Sequence, residues 1–482
     1  MAEEPVMHFK CIYNDDDNDT GSVIDDEIRC TKLQLPANIV SYMEKRELIR
    51  DVEQVDCNNS LLEKIAANYV IAKKIISNLS WQDKMICKHV CSMWRSVVHT
   101  QQKEQLYPAD FVFNLKISCI RYGINFTKSS NFNTEPLVVF TFSNTSGFSI
   151  SSKCTILVPS PCEPACEKEH YLIDVIQQQV AAPKNCMLTV KASYLSYLPL
   201  PQSVTSEHVI TRQMFARSTP FICGVYIPMI PGVQFHVINI KSVDENMKRD
   251  FYEVVDKLVQ DRIVKGVLVY VTESFLLNNV EDIVFLNYFK DVQPNIPYAM
   301  GGCIVEDTVT DKGDISQIVD GLNEGKDFVS ENLITVGFFT VPKTTDDTQQ
   351  EHNHNFDMYS LIIESSDWAK AKIQTTINEF SKKVPHFEHS VVLKLSCVGR
   401  DQKHEFEQNC FRDAFPNTRL VGCYGNGELG VNHPARPPPD EPVNAAKRHR
   451  RDPGPQFGII YSYSTVFVYI GWGKIISQPE AD

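Results

Sequence analysis

Several residues of this chain have types and spacings that could serve metal binding. The possible zinc ligands are Cys154, Cys162, Cys166 and His170, which lie in one segment. Structural zinc usually takes four ligands in tight paired spacings, and prolines interrupt this segment, so unligated thiols in a loop are favoured. We therefore expect no metal ion and no other cofactor.

Two thiols, Cys303 and Cys397, are the candidates for nucleophilic catalysis. Neither a Ser-His-Asp set nor a Cys-His set can be assembled from spacing alone. Small buried apolar side chains are the favoured interpretation of both cysteines. The sequence thus predicts a protein that is not an enzyme.

The string G-N-G-E-L-G at residues 425–430 matches the pattern of a dinucleotide-binding turn. Such a turn must lead directly into a helix whose amino terminus receives the pyrophosphate. Here the chain continues into proline-rich sequence, which disfavours nucleotide binding. The alternative is structural, because these glycines, with Gly301 and Gly302, permit positive backbone angles and close approach between sheet layers.

Composition excludes several functional classes for the 482-residue chain. Hydrophobic residues make up 43% and charged residues 22%, as in ordinary globular proteins. The net charge of -13 disfavours binding to nucleic acid or to an anionic membrane, because both would repel the chain. Fifteen cysteines without a secretory leader predict reduced thiols in the cytoplasm or nucleus, and no apolar run is long enough for a membrane helix.

Two segments have few large apolar residues and are predicted to lack a packed core. Residues 1–59 are acidic and polar, and we expect them to be disordered apart from a possible short helix. Residues 433–456 are rich in proline and basic residues, which predicts an exposed loop. Its basic cluster of Lys447, Arg448, Arg450 and Arg451 fits either a nuclear-import signal or a solvated charge run.

The segment from Ser60 to Val98 carries the spacing of three short amphipathic helices. A capping-box pattern begins at Ser60, Ser80 can cap a second helix, and a third helix follows Val90. Roughly three dozen residues cannot bury this much apolar surface alone, so the segment is predicted to dock on a partner.

Downstream of these helices, strands and helices alternate without a visible repeat period. Helices are predicted over Glu245 to Arg262, after Ser366, and over Glu405 to Phe415. Strands are predicted over Leu137 to Phe142, Met187 to Ala192, Phe221 to Ile227, Val233 to Ile240, Val264 to Thr272, Leu333 to Val341, Ser360 to Ile363, Val391 to Val398, Arg419 to Cys423 and Phe457 to Tyr469. The predicted fold is a mixed α+β (α/β) arrangement of layered mixed β-sheets with helices.

The helical segment resembles the F-box, through which a substrate receptor binds the Skp-type adaptor of a cullin-RING ubiquitin ligase. The matching pattern is a paired aliphatic, a Leu, an Asp four residues later and a Val-Cys-x-x-Trp terminus. Ala67-Asn68 stands where the family has Leu-Pro, and Ser80 where it has Pro. The adaptor-binding residues that this resemblance implies are Ile75, Ile76, Leu79, Val90, Cys91, Trp94 and Val97.

A second resemblance covers the carboxy-terminal part of the chain. The strings G-G at 301–302, S-C-V-G-R at 396–400 and G-C-Y-G-N-G-E-L-G at 422–430 are similar to those of the FIST domain. Arg400 and Glu428 are the polar residues to consider first in any cleft, with ordinary surface or paired charges as the alternative. The possible substrate or ligand region comprises Gly301, Gly302, Arg400, Gly425, Asn426, Gly427 and Glu428.

Together the two resemblances imply an F-box protein with a FIST domain. The implied organisation is an F-box at 60–104, an N-terminal FIST-like domain at 105–360 and a C-terminal FIST-like domain at 361–482. The implied function is a non-catalytic substrate receptor of an SCF-type ubiquitin ligase, whose partners are the Skp-type adaptor, the cullin-RING core and a protein substrate. The alternative is a small-ligand-binding FIST sensor whose helical module is a packing element.

Overall fold

The structure is a computed structural model in which a defined part of the chain can be described. The described residues are 67–114, 126–148, 151–153, 169–171, 176, 180, 186–208, 220–242, 246–310, 332–343, 355–364, 368–400, 403–436 and 458–477. The predicted acidic segment 1–59, Ser60, the basic cluster 447–451 and the possible zinc ligands Cys154, Cys162 and Cys166 lie outside them. All described residues belong to one compact unit that spans residues 56–482.

Three short helices open the described chain, as the sequence predicts. They are α1 (Tyr69–Ser77), α2 (Trp81–Cys87) and α3 (Ser92–Glu104). Each helix begins at a side-chain cap: Asn68 accepts from α1 amides, Ser80 from the Asp83 amide, and the Cys91 sulfur from the Trp94 amide. The predicted cap at Ser80 is therefore confirmed, because its hydroxyl takes a backbone N–H that the helix itself cannot bond.

Helices and strands then alternate, which confirms the predicted mixed α+β fold. The remaining helices are α4 (Thr145–Phe148), α5 (Met247–Asp261), α6 (Glu273–Asn279), α7 (Tyr288–Val292), α8 (Lys370–Lys383) and α9 (His404–Ala414), with 3-10 turns at Val204–His208, Val280–Asn287 and Val398–Arg400. The first nine strands are β1 (Ala109–Asn114), β2 (Phe126–Lys128), β3 (Pro136–Ser143), β4 (Ser151–Lys153), β5 (Glu169–Tyr171), β6 (Met187–Lys191), β7 (Tyr194–Leu198), β8 (Phe221–Pro228) and β9 (Gln234–Ile240). The others are β10 (Arg262–Thr272), β11 (Ala299–Val305), β12 (Asp307–Val309), β13 (Ile334–Pro342), β14 (Phe356–Ile363), β15 (His386–Cys397), β16 (Arg419–Gly425), β17 (Glu428–Val431), β18 (Ile460–Tyr461) and β19 (Thr465–Ser477).

Three mixed sheets contain almost all of these strands. Sheet 1 has the order β12-β6-β3-β8-β1-β2, sheet 2 the order β18-β17-β11-β10-β13-β9, and sheet 3 the order β14-β19-β15-β16-β7. Each sheet contains one parallel pair, namely β3–β6, β10–β11 or β15–β16, and its other pairs are antiparallel. A parallel pair requires a long crossover, and the described crossovers of sheets 2 and 3 contain helices.

The three sheets repeat one topology. Each repeat of this topology, which we call a unit, contributes one strand to the sheet of another repeat. The strand after each parallel pair leaves its own sheet: β7 pairs with β16, β12 with β6, and β17 with β11. The next long strand, β8, β13 or β19, returns to its own sheet beside β3, β10 or β15. The sequence shows no repeat period, so this three-part repetition of topology was not predicted.

The register of the exchanged strands supports this equivalence. Lys191 lies opposite Asp307 and Tyr424 lies opposite Tyr194, while the Ile304 amide donates to the Gly427 carbonyl at 2.9 Å. The same number of residues separates the two positions in each unit, from 191 to 194, from 304 to 307 and from 424 to 427. Each sheet is therefore completed by a strand from another unit, and the predicted boundary at residue 360 falls inside β14.

The cores follow from this arrangement. One apolar cluster joins residues of all three sheets, and two others lie under the helices of sheets 2 and 3. Sheets 2 and 3 approach closely at Gly301, where an added Cβ would overlap the Val468 side chain. The predicted role of Gly301 in close packing between sheets is confirmed here.

The helices α1, α2 and α3 form a cluster, which we call the helical cluster. It is attached to the sheets by buried contacts of α2. Trp81 is buried and its amide donates to the Phe132 carbonyl at 3.1 Å, while the Lys84 ammonium donates to the Asn133 carbonyl at 2.9 Å. Just after α3, the Leu106 carbonyl accepts from the Trp472 indole at 2.7 Å. These hydrogen bonds fix the position of the helical cluster relative to sheets 1 and 3.

Candidate functional site

The first candidate site is the outer surface of the helical cluster. Ile75 is 44% exposed and Val90 is 56% exposed, and Cys91 is exposed as well. Leu79 and Trp94 are half-buried. These five residues, all from the F-box-like pattern, can contact a partner while the helices remain folded.

Ile76 and Val97 of the same pattern have a different position. Both are completely buried in the core between the helices, where they pack with Ala72, Cys87 and Val98. Their side chains can stabilise the cluster but offer no contact surface in this structure. Val70 and Ile71 lie outside this core. Both are exposed apolar residues that extend the α1 surface.

The pattern of exposure explains what sequence reasoning missed on α1. The sequence places Ile71, Ala72, Ile75, Ile76 and Leu79 on one apolar stripe, because residues three and four apart share a helical face. The core contacts only the side of that stripe that carries Ala72 and Ile76. We call the exposed residues Val70, Ile71, Ile75 and Val90 the apolar set.

The second candidate site is a group of buried charged side chains near the carboxyl ends of β15 and β16. Lys394, Arg400, Glu407 and Glu428 are all buried, and we call them the buried charge cluster. They come from β15, from the turn after it, from α9 and from the start of β17. The ends of the parallel pair β15–β16 thus bring together residues that are far apart in sequence, as expected where chain connections diverge from a sheet.

Hydrogen bonds connect this cluster to the turn before β19. Arg400 forms an ion pair with Glu407 and donates from Nη1 to the Tyr463 carbonyl at 2.7 Å. Glu428 Oε2 accepts from the Ser464 hydroxyl at 2.7 Å and from its amide at 3.1 Å. Within the described residues, Arg400 Nε and Glu428 Oε1 have no hydrogen-bond partner.

Lys394 occupies the middle of β15 and its ammonium is fully buried. Nζ donates to the His404 carbonyl at 3.0 Å and to the Tyr424 hydroxyl at 3.3 Å. Burial lowers the pKa of Lys394 to about 7, although the nearby Glu407 charge opposes this change. Burial also lowers the pKa of His404, to about 2, so its imidazole is neutral at physiological pH.

Glu428 is a buried carboxyl group at the start of β17. Burial raises the pKa of Glu428 to about 8, while hydrogen bonds from Ser464 and the Arg400 charge act in the opposite direction. The group therefore carries a proton over much of the neutral range. Because Oε2 accepts two hydrogen bonds, Oε1 is the oxygen available to hold that proton.

The two candidate thiols lie near this cluster in different environments. Cys303 is fully buried in the shared core, and its pKa is raised well above the ordinary value by the Cys423 thiol and by burial. Burial, with the Glu428 charge, also raises the pKa of Cys397. A thiol with a raised pKa holds little thiolate at neutral pH, which is unfavourable for nucleophilic attack.

The glycine string 425–430 forms a strand, a turn and a second strand. No helix follows Gly430, so the geometry that dinucleotide binding requires is missing from this described segment. Gly425 lies where a Cβ would overlap the Ile304 carbonyl oxygen, and Gly427 has a positive φ of 148°. Both predicted reasons for the glycines, close approach and positive φ, are therefore present.

The structure brings most of the predicted ligand region together. Gly301 lies opposite Gly430, Gly302 lies opposite Leu429, and the Glu428 environment includes the Arg400 charge. Asn426 is the exposed member, and its amide contacts the Glu273 carboxylate. The sequence missed Lys394 and Glu407, although a lysine within the apolar run V-V-L-K-L-S-C was a visible signal.

The predicted loop at 433–456 begins with packed residues. His433 pairs with Ser360 on the edge of β14, and its ring stacks on Tyr359. Arg436 contacts Glu364 at 3.2 Å and lies over the Trp368 ring. These contacts cover the outer edge of β14.

Comparisons with known proteins found no match: no protein-family model and no curated protein matches this chain. Among the described residues, no group of three or more His, Cys, Asp or Glu side chains could hold a metal ion. No helix among them is long and apolar enough to cross a membrane.

Proposed function

We propose that this protein is the substrate-recognition subunit of an SCF-type ubiquitin ligase. The observation that carries the proposal is the exposure of Ile75 and Val90 at positions of the F-box-like pattern, while Ile76 and Val97 hold the helices together. Exposed apolar side chains on a small folded cluster are typical of a protein-binding surface. In this proposal the apolar set, with Leu79, Cys91 and Trp94, binds the Skp-type adaptor.

The remaining described part of the chain would hold the protein substrate. A receptor of this kind performs no chemistry itself, because it raises the effective concentration of substrate lysines at a thioester that another subunit bears. A substrate must then stay within reach of the conjugating enzyme. The buried contacts of Trp81 and Lys84, which fix the helical cluster on the sheets, suit this role.

The place of action follows from the same proposal. The adaptor and the cullin-RING core are proteins of the cytoplasm and nucleus, so we propose both locations for this chain. The cluster Lys447, Arg448, Arg450 and Arg451 would serve nuclear import. The acidic net charge supports protein partners over nucleic acid or membrane.

Affinity purification from cells tests this function. The tagged chain is purified after the proteasome and cullin activation are blocked, so that adaptor and substrate are retained together. We expect the Skp-type adaptor with wild type and its loss with the double variant Ile75→Asp, Val90→Asp. Val204→Asp is the matched control, because Val204 is 60% exposed outside the helical cluster. Equal adaptor recovery from all three proteins would contradict the proposal.

A small-ligand sensor is the second candidate function. It is favoured by the Arg400 Nε and Glu428 Oε1 atoms, which are buried without hydrogen-bond partners among the described residues. Such atoms can bind a small polar ligand, because unpaired buried polar groups are costly. Thermal stabilisation by a metabolite, in a protein that does not bind the adaptor, would favour this function over the first.

A further inference from the structure

The turn between β18 and β19 presents an exposed tyrosine in an unusual backbone conformation. Tyr463 has a φ of 55°, and its side chain is 57% exposed. Non-glycine residues other than Asn and Asp are uncommon in this left-handed region, because Cβ approaches the backbone. Such a residue persists only where its surroundings impose the conformation, and these residues concentrate at functional sites.

The surroundings of Tyr463 include the buried charge cluster. The Arg400 guanidinium donates to the Tyr463 carbonyl at 2.7 Å. The next residue, Ser464, donates from its amide and hydroxyl to Glu428, and its carbonyl accepts from the Cys397 amide at 2.9 Å. Arg400 and Glu428 thus hold the backbone immediately on the carboxyl side of one exposed side chain.

The ring of Tyr463 is positioned as well. It lies against Gly399, where an added Cβ would come within 2.8 Å of two ring atoms. A ring that packs against the backbone loses less conformational freedom on binding, which favours tyrosine as an anchor in protein interfaces. The Arg400 and Glu428 contacts hold the backbone that carries this exposed ring.

The nearby charge indicates what this ring could bind. Asn426 follows Gly425, which pairs with Cys397 at the end of β15. The Asn426 amide contacts the carboxylate of Glu273. An exposed carboxylate thus lies at the end of sheet 3 that carries the Tyr463 turn, and the whole chain has a net charge of -13. A tyrosine ring attracts a cation placed over its face, and the acidic surroundings reinforce that attraction.

We propose that Tyr463 is the anchor of a binding surface for a basic protein segment, whose Lys or Arg side chain lies over the ring. Arg400 and Glu428 are positioning residues for this contact. The identification of that segment as part of the substrate rests on the proposed receptor function. Binding of the basic segment does not require the adaptor.

A selection of random 12-residue peptides on the purified full chain tests this surface. We expect wild type and Tyr463→Phe to enrich peptides that contain Lys or Arg. Tyr463→Gly removes the ring and also the unfavourable φ, so it should keep or raise the thermal midpoint while its affinity for the enriched peptides falls about 10-fold. Tyr463→Asn, which also tolerates this φ, should lose the same affinity.

The outcomes separate this proposal from the receptor function. Enrichment of the same peptides by Tyr463→Gly and Tyr463→Asn would overturn it, as would enrichment without basic residues or no enrichment by wild type. Adaptor binding is measured separately and involves residues of the helical cluster, not Tyr463. A chain that binds basic peptides but does not bind the adaptor would therefore refute only the receptor function.

Discussion

Replacing Arg400 with methionine removes the central cation of the buried charge cluster. Arg400 makes a charge-assisted contact with Glu407 and another with the Tyr463 carbonyl, and the Arg400 and Glu407 side chains are both fully buried. Charge-assisted hydrogen bonds contribute roughly 1.5–3 kcal/mol each. Breaking a buried ion pair by removing one partner costs about 3–5 kcal/mol, because the other charge stays buried. We expect Arg400→Met to lower the free energy of unfolding by about 3–5 kcal/mol.

The assay is equilibrium urea unfolding followed by tryptophan fluorescence. Arg249→Met is the matched control, because Arg249 is largely exposed and its loss should change the free energy of unfolding by less than about 0.5 kcal/mol. Adding Glu407→Gln to Arg400→Met removes the isolated charge and retains an acceptor for Thr465. The double variant should therefore recover at least about 1 kcal/mol of the loss.

The result that would refute this reasoning is clear-cut. If Arg400→Met unfolds within about 0.5 kcal/mol of the Arg249→Met control, the Arg400–Glu407 pair does not stabilise this region. The cluster would then not fix the Tyr463 turn. If Arg400→Met loses stability but Glu407→Gln recovers none of it, the loss comes from packing of the arginine side chain rather than from charge.

Three further predictions concern protonation, packing and strand exchange. Glu428 has a pKa raised to about 8, so the folded state binds the extra proton and the contribution of Glu428 to the free energy of unfolding should fall as pH rises from about 4.5 to 8. Glu428→Gln should lose that component of the pH dependence, and parallel unfolding curves for both proteins across this range would contradict it. Gly425→Ala should lower the urea midpoint below that of wild type, because a Cβ at Gly425 would overlap the Ile304 carbonyl oxygen, and a midpoint equal to wild type would contradict the close approach. Gly458→Ala measures the separate cost of a positive φ, because a Cβ there meets nothing within 4 Å and φ is 80°. Residues 355–477 expressed alone should remain unfolded by circular dichroism, because β16 lacks its partner β7, and a cooperative melting transition of this fragment would argue against the exchanged arrangement.

Local pattern was sufficient to predict most elements of the fold. Periodicity placed α5, α8 and α9 to within a few residues, and alternation or apolar runs placed the long strands. The predicted strand from Phe457 to Tyr469 is instead two strands, β18 and β19, separated by the turn at Tyr463, and β1, β7 and β11 were not predicted. Nothing in the residue types at that turn signals a positive φ.

Pairing between distant strands could not be predicted from the sequence. The exchange of β7, β12 and β17 depends on which sheet each strand completes, and strand periodicity carries no information on its partner. The equivalence of the three units lies in the backbone register, while the side chains at equivalent positions differ, as at Lys191, Ile304 and Tyr424. A search for repeated residues therefore finds no period.

The candidate sites were predicted in part. Arg400 and Glu428 stood out as charges among glycines, and the structure places both in one buried cluster. Glu407 and Ser464 satisfy part of the hydrogen bonding of Arg400 and Glu428, respectively. On the helical cluster, spacing identified the correct helices but could not tell the buried Ile76 from the exposed Ile75.

Direct binding of the purified chain to a purified Skp-type adaptor tests the central proposal most directly. Isothermal titration should give a one-to-one complex with wild type and with Val204→Asp. It should give at least about a 100-fold weaker complex with Ile75→Asp, Val90→Asp, since burying two unpaired carboxylates costs several kcal/mol. An unchanged thermal midpoint in the double variant would show that its helices remain folded. No binding by wild type, or equal binding by all three proteins, would contradict the proposed adaptor contact.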